Sequence, residues 1–304
     1  MNTVLVADLG GTRCRFAAVT ADYRVLCQVS WSSPSETEAY VAAVDRGLRQ
    51  VLDSLPADVA SPSAIGVGSA GVVATGTDRL SMVPNLPIEG WALGPELEQR
   101  FGLPTTVLND GRASALGEFH RGQARGSDPL LCLFFGTGIG IGMVAQGRPF
   151  AGADNAAGEI GHTVYLPGGR ACACGVAGHF EAYCGGRAMA CRARDEVGAP
   201  PDGDSWSIDA LVQADHPAAR QILDEAAQAA AVLVANSITL WNPRAVLLGG
   251  GVLQAWPALQ GHIAEFVERH CSDEVRANLR LMASSPGSDA IFWGAAIATG
   301  ALPS

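Results

Sequence analysis

The sequence contains no lysine: all 20 of its basic residues are arginine. That absence excludes several enzyme classes at once. A Walker A phosphate loop needs its lysine, and so does the nucleotide-binding strand of a protein kinase. Pyridoxal and Schiff-base enzymes need a lysine amine. A nucleotide phosphate bound here must be held by backbone N–H groups, hydroxyls, arginine and a metal ion. Charge is scarce in general, with 16% charged residues and a net charge of −10. An acidic chain without clustered basic residues argues against a nucleic-acid footprint. No apolar run reaches the roughly 18 residues of a membrane-spanning helix. The first 13 residues lack the basic region and cleavage site of a signal peptide. The expectation is a cytoplasmic protein without a nucleic-acid or membrane partner.

What is present is glycine, at 37 residues, and eight cysteines. Without a secretory signal, disulfides are the weaker reading, and the close pair Cys172/Cys174 points to a metal. Cys14, Cys132 and Cys184 read as small buried hydrophobes.

The hydrophobic pattern alternates between strands and helices. Val4–Ala7 and Phe16–Val19 are apolar runs flanking a glycine-rich turn. Val41, Val44, Leu48, Val51, Leu52 and Leu55 recur at helical spacing. Short strands are expected at Ala64–Val67 and Thr106–Leu108, the second running through Asn109 and Asp110 into a helix that ends near His120. Leu130–Phe135 is a strongly apolar strand, followed by Gly-Thr-Gly-Ile-Gly-Ile-Gly and a strand at Met143–Ala145. A long helix spans Ala218–Leu240. After it come a strand at Ala245–Leu248, a helix at Pro257–His270, a strand at Leu279–Ala283 and a closing helix at Asp289–Leu302.

The same device occurs twice, as strand, small-residue loop, strand. Asp8-Leu9-Gly10-Gly11-Thr12 and Gly136-Thr137-Gly138 each let backbone amides approach an anion closely. Asp8, at a strand end, suits a hydrated Mg²⁺. Each loop also has a plain reading, as a glycine hairpin or as close strand packing. Gly249-Gly250-Gly251 fits either a flat adenosine site or a tight strand-to-helix turn. Neither phosphate-type loop satisfies G-x-G-x-x-G, and both run into strands, so a dinucleotide fold is disfavoured. Two such loops suggest a duplicated α/β architecture. Asp110 is a candidate general base on a substrate hydroxyl, with Asn109 orienting a sugar; the alternative is that Asp110 is a helix N-cap.

The most specific feature is Gly-Glu159-Ile-Gly-His162 followed by Cys172-Ala-Cys174-Gly-Val-Ala-Gly-His179-Phe-Glu181. His162, Cys172, Cys174 and His179 offer a Cys₂His₂ donor set, the number and type of a closed, structural tetrahedral zinc site; the plain reading is two reduced surface cysteines and two unrelated histidines.

Taken together, these motifs resemble the ROK family of sugar kinases, repressors and open reading frames, over about Val4 to Ala298. The resemblance implies an actin/hexokinase-like (ribonuclease H-like) fold of two α/β domains around a cleft, here residues 1–118 with 290–304 and residues 119–289. It implies phosphorylation of a hexose by MgATP, and a homodimer. Asp8, Gly10, Gly11 and Thr12 would form the first phosphate loop, Thr137 and Gly138 the second, with Gly249, Gly250 and Gly251 near adenosine. Asp110 would be the catalytic base, while Asn109, Glu159, His162 and Glu181 would hold the sugar hydroxyls. His162 would serve both zinc and sugar through its two nitrogens. One departure stands out, because the family usually has Cys where this chain has His179. Repressors of the family carry an N-terminal helix-turn-helix, whereas this chain opens on a strand at about Val4 and is acidic, so a repressor is disfavoured. A non-catalytic sugar-binding protein is the rival of another class. Glu159, His162 and Glu181 suit glucose, N-acetylmannosamine and N-acetylglucosamine alike. Met82–Pro87 and Phe134–Gly142 have some similarity to glucokinase-like and allose-kinase-like relatives, which ranks glucose first, with an N-acetylhexosamine or allose next.

Overall fold

Every residue of the first strand, β1 (Thr3–Leu9), is buried except Asp8. A strand buried on both faces belongs at the centre of a sheet covered on both sides. β1 pairs antiparallel with β2 (Arg13–Thr20), which pairs with β3 (Val25–Ser32). On its other edge β1 runs parallel to β4 (Pro62–Ser69). The computed structural model describes residues 2–74, 79–81, 83, 86–201, 203, 205–285 and 289–302. Met82, Pro84 and Asn85, part of the segment that hinted at glucokinase-like relatives, lie outside the described residues.

Helix α1 (Thr37–Asp53) stands between β3 and β4, and a small ribbon of β5 (Val72–Val73) and β6 (Leu80–Ser81) follows β4. Next come α2 (Leu93–Phe101), β7 (Thr105–Asn109) and α3 (Asp110–His120). β7 lies parallel to β4, so the sheet order is β3-β2-β1-β4-β7. Beyond α3, the chain forms β8 (Leu130–Phe135), β9 (Ile139–Ala145) and β10 (Arg148–Pro149). A 3₁₀ turn at Ile160–His162 is followed by α4 (Glu181–Cys184), α5 (Gly186–Glu196), α6 (Ile208–Gln213) and α7 (Pro217–Trp241). The last elements are β11 (Ala245–Gly249), α8 (Gly251–Ala255), α9 (Ala258–His270), α10 (Asp273–Arg276), β12 (Arg280–Ala283) and α11 (Ala290–Ala298). The second sheet repeats the first in its order, β10-β9-β8-β11-β12, with β11 parallel to both β8 and β12. The duplication expected from the paired loops is thus present in the strand order.

The chain divides into two compact units: Met1–Ser127 with Gly142–Ala157 and Gly287–Ser304, and Asp128–Ile141 with Gly158–Pro286. In the first unit the two-residue period of β1 sorts its side chains. Leu5, Ala7 and Leu9 pack with Tyr40, Val44 and Leu48 of α1. Val4 and Val6 pack on the opposite face with Ala113 and Leu116 of α3 and with Ile291, Phe292 and Ala295 of α11. In the second unit α7 begins on Pro217, with the His216 ring accepting from the Ala218 amide, and ends at Asn242 in the left-handed conformation. Both are ordinary stop and start signals.

The two clearest boundary differences from the hydrophobic reading are at β9 and the closing helix. β9 begins at Ile139, not Met143, so Gly140 and Gly142 lie in the strand. Gly142 is where the strand meets the first turn of α3: a β-carbon there would stand 2.0 Å from the Gly111 carbonyl oxygen. The closing helix stops at Ala298, short of Leu302, and Gly300 follows with a positive φ. Among the described residues, no helix is long and apolar enough to cross a membrane.

Candidate functional site

In the first unit, Gly10, Gly11 and Thr12 form the turn of the β1–β2 hairpin, closed by the Gly10 N–H donating to the Arg13 carbonyl at 3.1 Å. The turn is held from behind. The Ser33 hydroxyl donates to the Gly10 carbonyl at 2.6 Å, Tyr40 reaches the same oxygen at 3.3 Å, and the Ser33 amide donates to Thr12 at 3.0 Å. Burial holds the Tyr40 hydroxyl protonated, well above its ordinary value. Asp8 faces Arg15 across the register, and the Arg15 Nε donates to Asp8 Oδ2 at 2.7 Å. Burial pushes the Asp8 carboxyl above its ordinary value, while Arg15 pulls it down. Arg15 also lies 4.9 Å from the Phe292 ring centre. Arg15 belongs to no sequence motif, although hairpin register places it opposite Asp8.

Asn109 and Asp110 are brought to the β7–α3 junction as expected, but the N-cap belongs to Asn109. Its Oδ1 accepts from the Arg112 amide at 3.2 Å, and its side-chain amide donates to Gly71 at 3.1 Å. Asp110 is the first helical residue, with Oδ1 accepting from the Gly111 amide at 2.8 Å. The capping alternative for Asp110 is therefore corrected: one residue earlier does that work, on a helix end whose dipole favours a negative charge.

In the second unit, Gly136–Gly138 joins β8 to β9. The segment from α4 to α5 is zipped onto this loop by three bonds. The Gly186 amide donates to Gly136 at 2.9 Å, the Arg187 amide to Thr137 at 3.0 Å, and the Ile139 amide to Glu181 Oε2 at 2.9 Å. The amides of Thr137 and Gly138 have no hydrogen-bond partner among the described residues. Glu181 thus sits directly on the loop, and a β-carbon on Gly138 would stand 2.3 Å from its Oε2. Glycine at 138 is what lets the carboxylate approach. Gly249 closes β11 against Ser284 and Phe134, while Gly250, at φ 97°, lies against the Phe135 backbone. Both serve a strand-to-helix turn, and Gly251 opens α8.

His162, Cys172, Cys174 and His179 converge, each offering a donor atom within 4.8 Å of the others. His162 Nδ1 is 3.7 Å from the Cys172 sulfur, and His179 Nδ1 is 3.2 Å from the Cys174 sulfur. Ligands of a tetrahedral zinc stand roughly 3.3–3.8 Å apart, given Zn–S and Zn–N lengths of about 2.3 and 2.0 Å. The donor type and these two spacings fit that ion. His162 Nε2, on the far side of the ring, is 3.9 Å from Glu159 Oε2. The loop is shaped by its backbone: Gly178, at φ 90°, has no room for a β-carbon, which would stand 2.0 Å from the Leu166 carbonyl. Burial pushes the Cys172 thiol up; a hydrogen bond from the Cys174 backbone pulls it down, while the Cys174 side chain and Glu181 push it up. A bound metal must therefore displace protons. Arg170, at the base of the loop, reaches Glu225 at 3.0 Å and Glu196 at 3.4 Å. Arg192 bridges the same two carboxylates at 3.1 and 3.0 Å. Neither arginine belongs to a sequence motif.

Comparisons with known proteins identify the chain's relatives. A profile of the ROK family matches residues 4–300. The chain is 31% identical to a glucokinase of Thermotoga maritima, across 95% of this chain and 94% of that protein. It is 29% identical to an N-acetylmannosamine kinase of Shigella flexneri, across 97% of each. The crystal structure of a ROK family glucokinase from Streptomyces griseus, in complex with glucose and AMPPNP, is 28% identical, with a TM-score of 0.83 over 97% of this chain and 98% of that one. The fold is the actin/hexokinase-like α/β fold implied by the motif resemblance, and its strand order repeats in the two sheets. With the family profile spanning nearly its whole length, this chain belongs to the ROK family.

Proposed function

We propose that this protein is an ATP-dependent sugar kinase that phosphorylates a hexose hydroxyl, with the 6-hydroxyl of glucose as its first substrate. The observation that carries this reading is Asp110, a carboxylate on the first turn of α3 whose neighbour Asn109 already caps the helix. Likeness along nearly the full length to glucokinases supports it. Asp110 takes the proton of the attacking hydroxyl as general base. Asn109, Glu159, His162 and Glu181 hold the sugar. Gly10, Gly11 and Thr12, with Thr137 and Gly138, hold the phosphates of ATP through backbone amides and hydroxyls, and Gly249–Gly251 lie near adenosine. Asp8 would hold hydrated Mg²⁺, with Arg15 steadying one carboxylate oxygen. Mg²⁺ supplies charge neutralisation for phosphoryl transfer, a need sharpened by the missing lysine.

Glu181 has a double part in this scheme. Its Oε2 accepts the Ile139 amide, so a side chain proposed to bind sugar also holds the phosphate loop. Glu181→Ala is expected to raise KM for sugar and for ATP together, by about tenfold each. A change confined to the sugar would separate Glu181 from the loop.

His162, Cys172, Cys174 and His179 would hold a structural zinc, with two thiolates rather than three. Metal analysis of the purified protein is expected to give about one zinc per chain, and Cys172→Ser to give none. Substoichiometric zinc with full activity would count against the site. The homodimer belongs to the same proposal, and light scattering of the purified protein reports it.

A second substrate reading, an N-acetylhexosamine, is favoured by the Shigella relative. Sugar-dependent ADP release across hexoses and N-acetylhexosamines tests both readings. A non-catalytic sugar-binding protein would release none.

A further inference from the structure

Arg112 stands on the first turn of α3, two residues after Asp110, and is only 4% exposed. Its guanidinium fills the loop Ala151–Ala157 of the same unit. Nη2 donates to the carbonyls of Ala157 at 2.7 Å and Asn155 at 2.8 Å, and lies 3.5 Å from that of Ala151. Nη1 lies 3.4 Å from Asn155 Oδ1. The loop closes on itself, with the Ala157 amide donating to the Ala151 carbonyl at 3.1 Å. It is also conformationally demanding, since Gly152 and Asn155 both have positive φ.

The loop reads Ala-Gly-Ala-Asp-Asn-Ala-Ala, with no side chain larger than asparagine. It has almost nothing apolar of its own to pack, so its order falls on the polar groups it surrounds. Carbonyls turned inward need donors, and one guanidinium supplies them to three residues. Along the chain, Ala157 is followed at once by Gly158-Glu159-Ile160-Gly161-His162.

We propose that Arg112 is a positioning residue for the sugar. By filling the 151–157 loop it fixes the course on which the chain enters the Glu159–His162 turn, so that Glu159 and His162 are presented in one conformation. The proposal rests on the kinase reading above. Preorganising a binding segment improves affinity by lowering the ordering cost on binding. The two phosphate loops are held by other bonds, those of Ser33, Tyr40, Glu181 and α5. Loss of Arg112 should therefore weaken sugar and spare ATP.

Two variants and two readouts test this. Arg112→Lys keeps the charge but loses the planar fork, and it carries the test even if Arg112→Ala does not fold. Hydrogen–deuterium exchange of peptides covering 151–157 reports the loop, and steady-state ADP release reports the two KM values. In Arg112→Lys we expect faster exchange in the loop and a sugar KM about tenfold higher, with the ATP KM within about twofold of the parent. Unchanged exchange overturns the clamp. Faster exchange with an unchanged sugar KM, or with both KM values raised equally, overturns the positioning role. A parent protein without sugar-dependent ADP release overturns the kinase reading and the sugar part of this proposal, while the exchange data still decide the clamp.

Discussion

Replacing Asp110 by asparagine is expected to leave sugar binding nearly intact while turnover falls by about 10²–10⁴-fold, the contribution of a positioned general base. The local geometry makes this a clean substitution. Asn109 provides the N-cap, so the helix start does not depend on the Asp110 carboxylate. The bond from the Gly111 amide to Asp110 Oδ1 can be accepted equally well by the amide oxygen of asparagine. What the variant loses is a charge and a proton acceptor at a helix N-terminus. Thermal unfolding should move little, calorimetry should still show sugar binding, and ADP release should nearly vanish. Near-normal turnover would remove Asp110 from the chemistry.

The second large effect is on the support of that base. α3 and α11 touch backbone to backbone through two glycines. A β-carbon on Gly294 would stand 1.7 Å from the Ala113 carbonyl oxygen, and one on Gly117 would stand 1.8 Å from that of Ala290. Neither obstacle is the end of a flexible side chain, so the helices themselves must separate. Overpacking of this kind costs typically 1–3 kcal/mol and sometimes more, so Gly294→Ala is expected to destabilise by about 3 kcal/mol or more. Gly261, exposed on α9 with nothing within 4 Å of its added β-carbon, is the control. There the same substitution should stabilise by about 0.5–1 kcal/mol, through helix propensity alone. Denaturant unfolding of the two variants separates packing from propensity. Equal stability would mean that α3 and α11 do not meet as described.

Much of the fold is legible from hydrophobic pattern where the pattern is strong and local. Leu130–Phe135 is a strand over the bounds its apolar run suggests, and the long helix differs from its hydrophobic reading by one residue at each end. β3 is hard to read in the sequence because it is an edge strand: its burial alternates along Gln28–Ser32, and its one apolar run, Val25–Cys27, is three residues long. The start of β9 was hidden by glycines that read as a loop but serve close packing. For the candidate site, sequence separation sets what can be seen. His162, Cys172, Cys174 and His179 fall within 18 residues, on a loop closed by its own glycines, so the cluster is visible as a motif. The bond from Ile139 to Glu181 spans 42 residues, and the Arg112 contacts span 39 to 45. Such pairs are made by tertiary folding, and nothing in local spacing announces them. Asn109 and Asp110 lie between these cases, since the pair was visible but which of them caps the helix was not.

The central claim is phosphoryl transfer from ATP to a sugar hydroxyl. Its most direct measurement is mass-spectrometric detection of product after the purified protein is incubated with MgATP and single hexoses or N-acetylhexosamines. A sugar monophosphate that forms with glucose or another member of the panel, and that disappears in Asp110→Asn, is the predicted result. No sugar phosphate from any member, or the same yield from the Asp110→Asn variant, would contradict it.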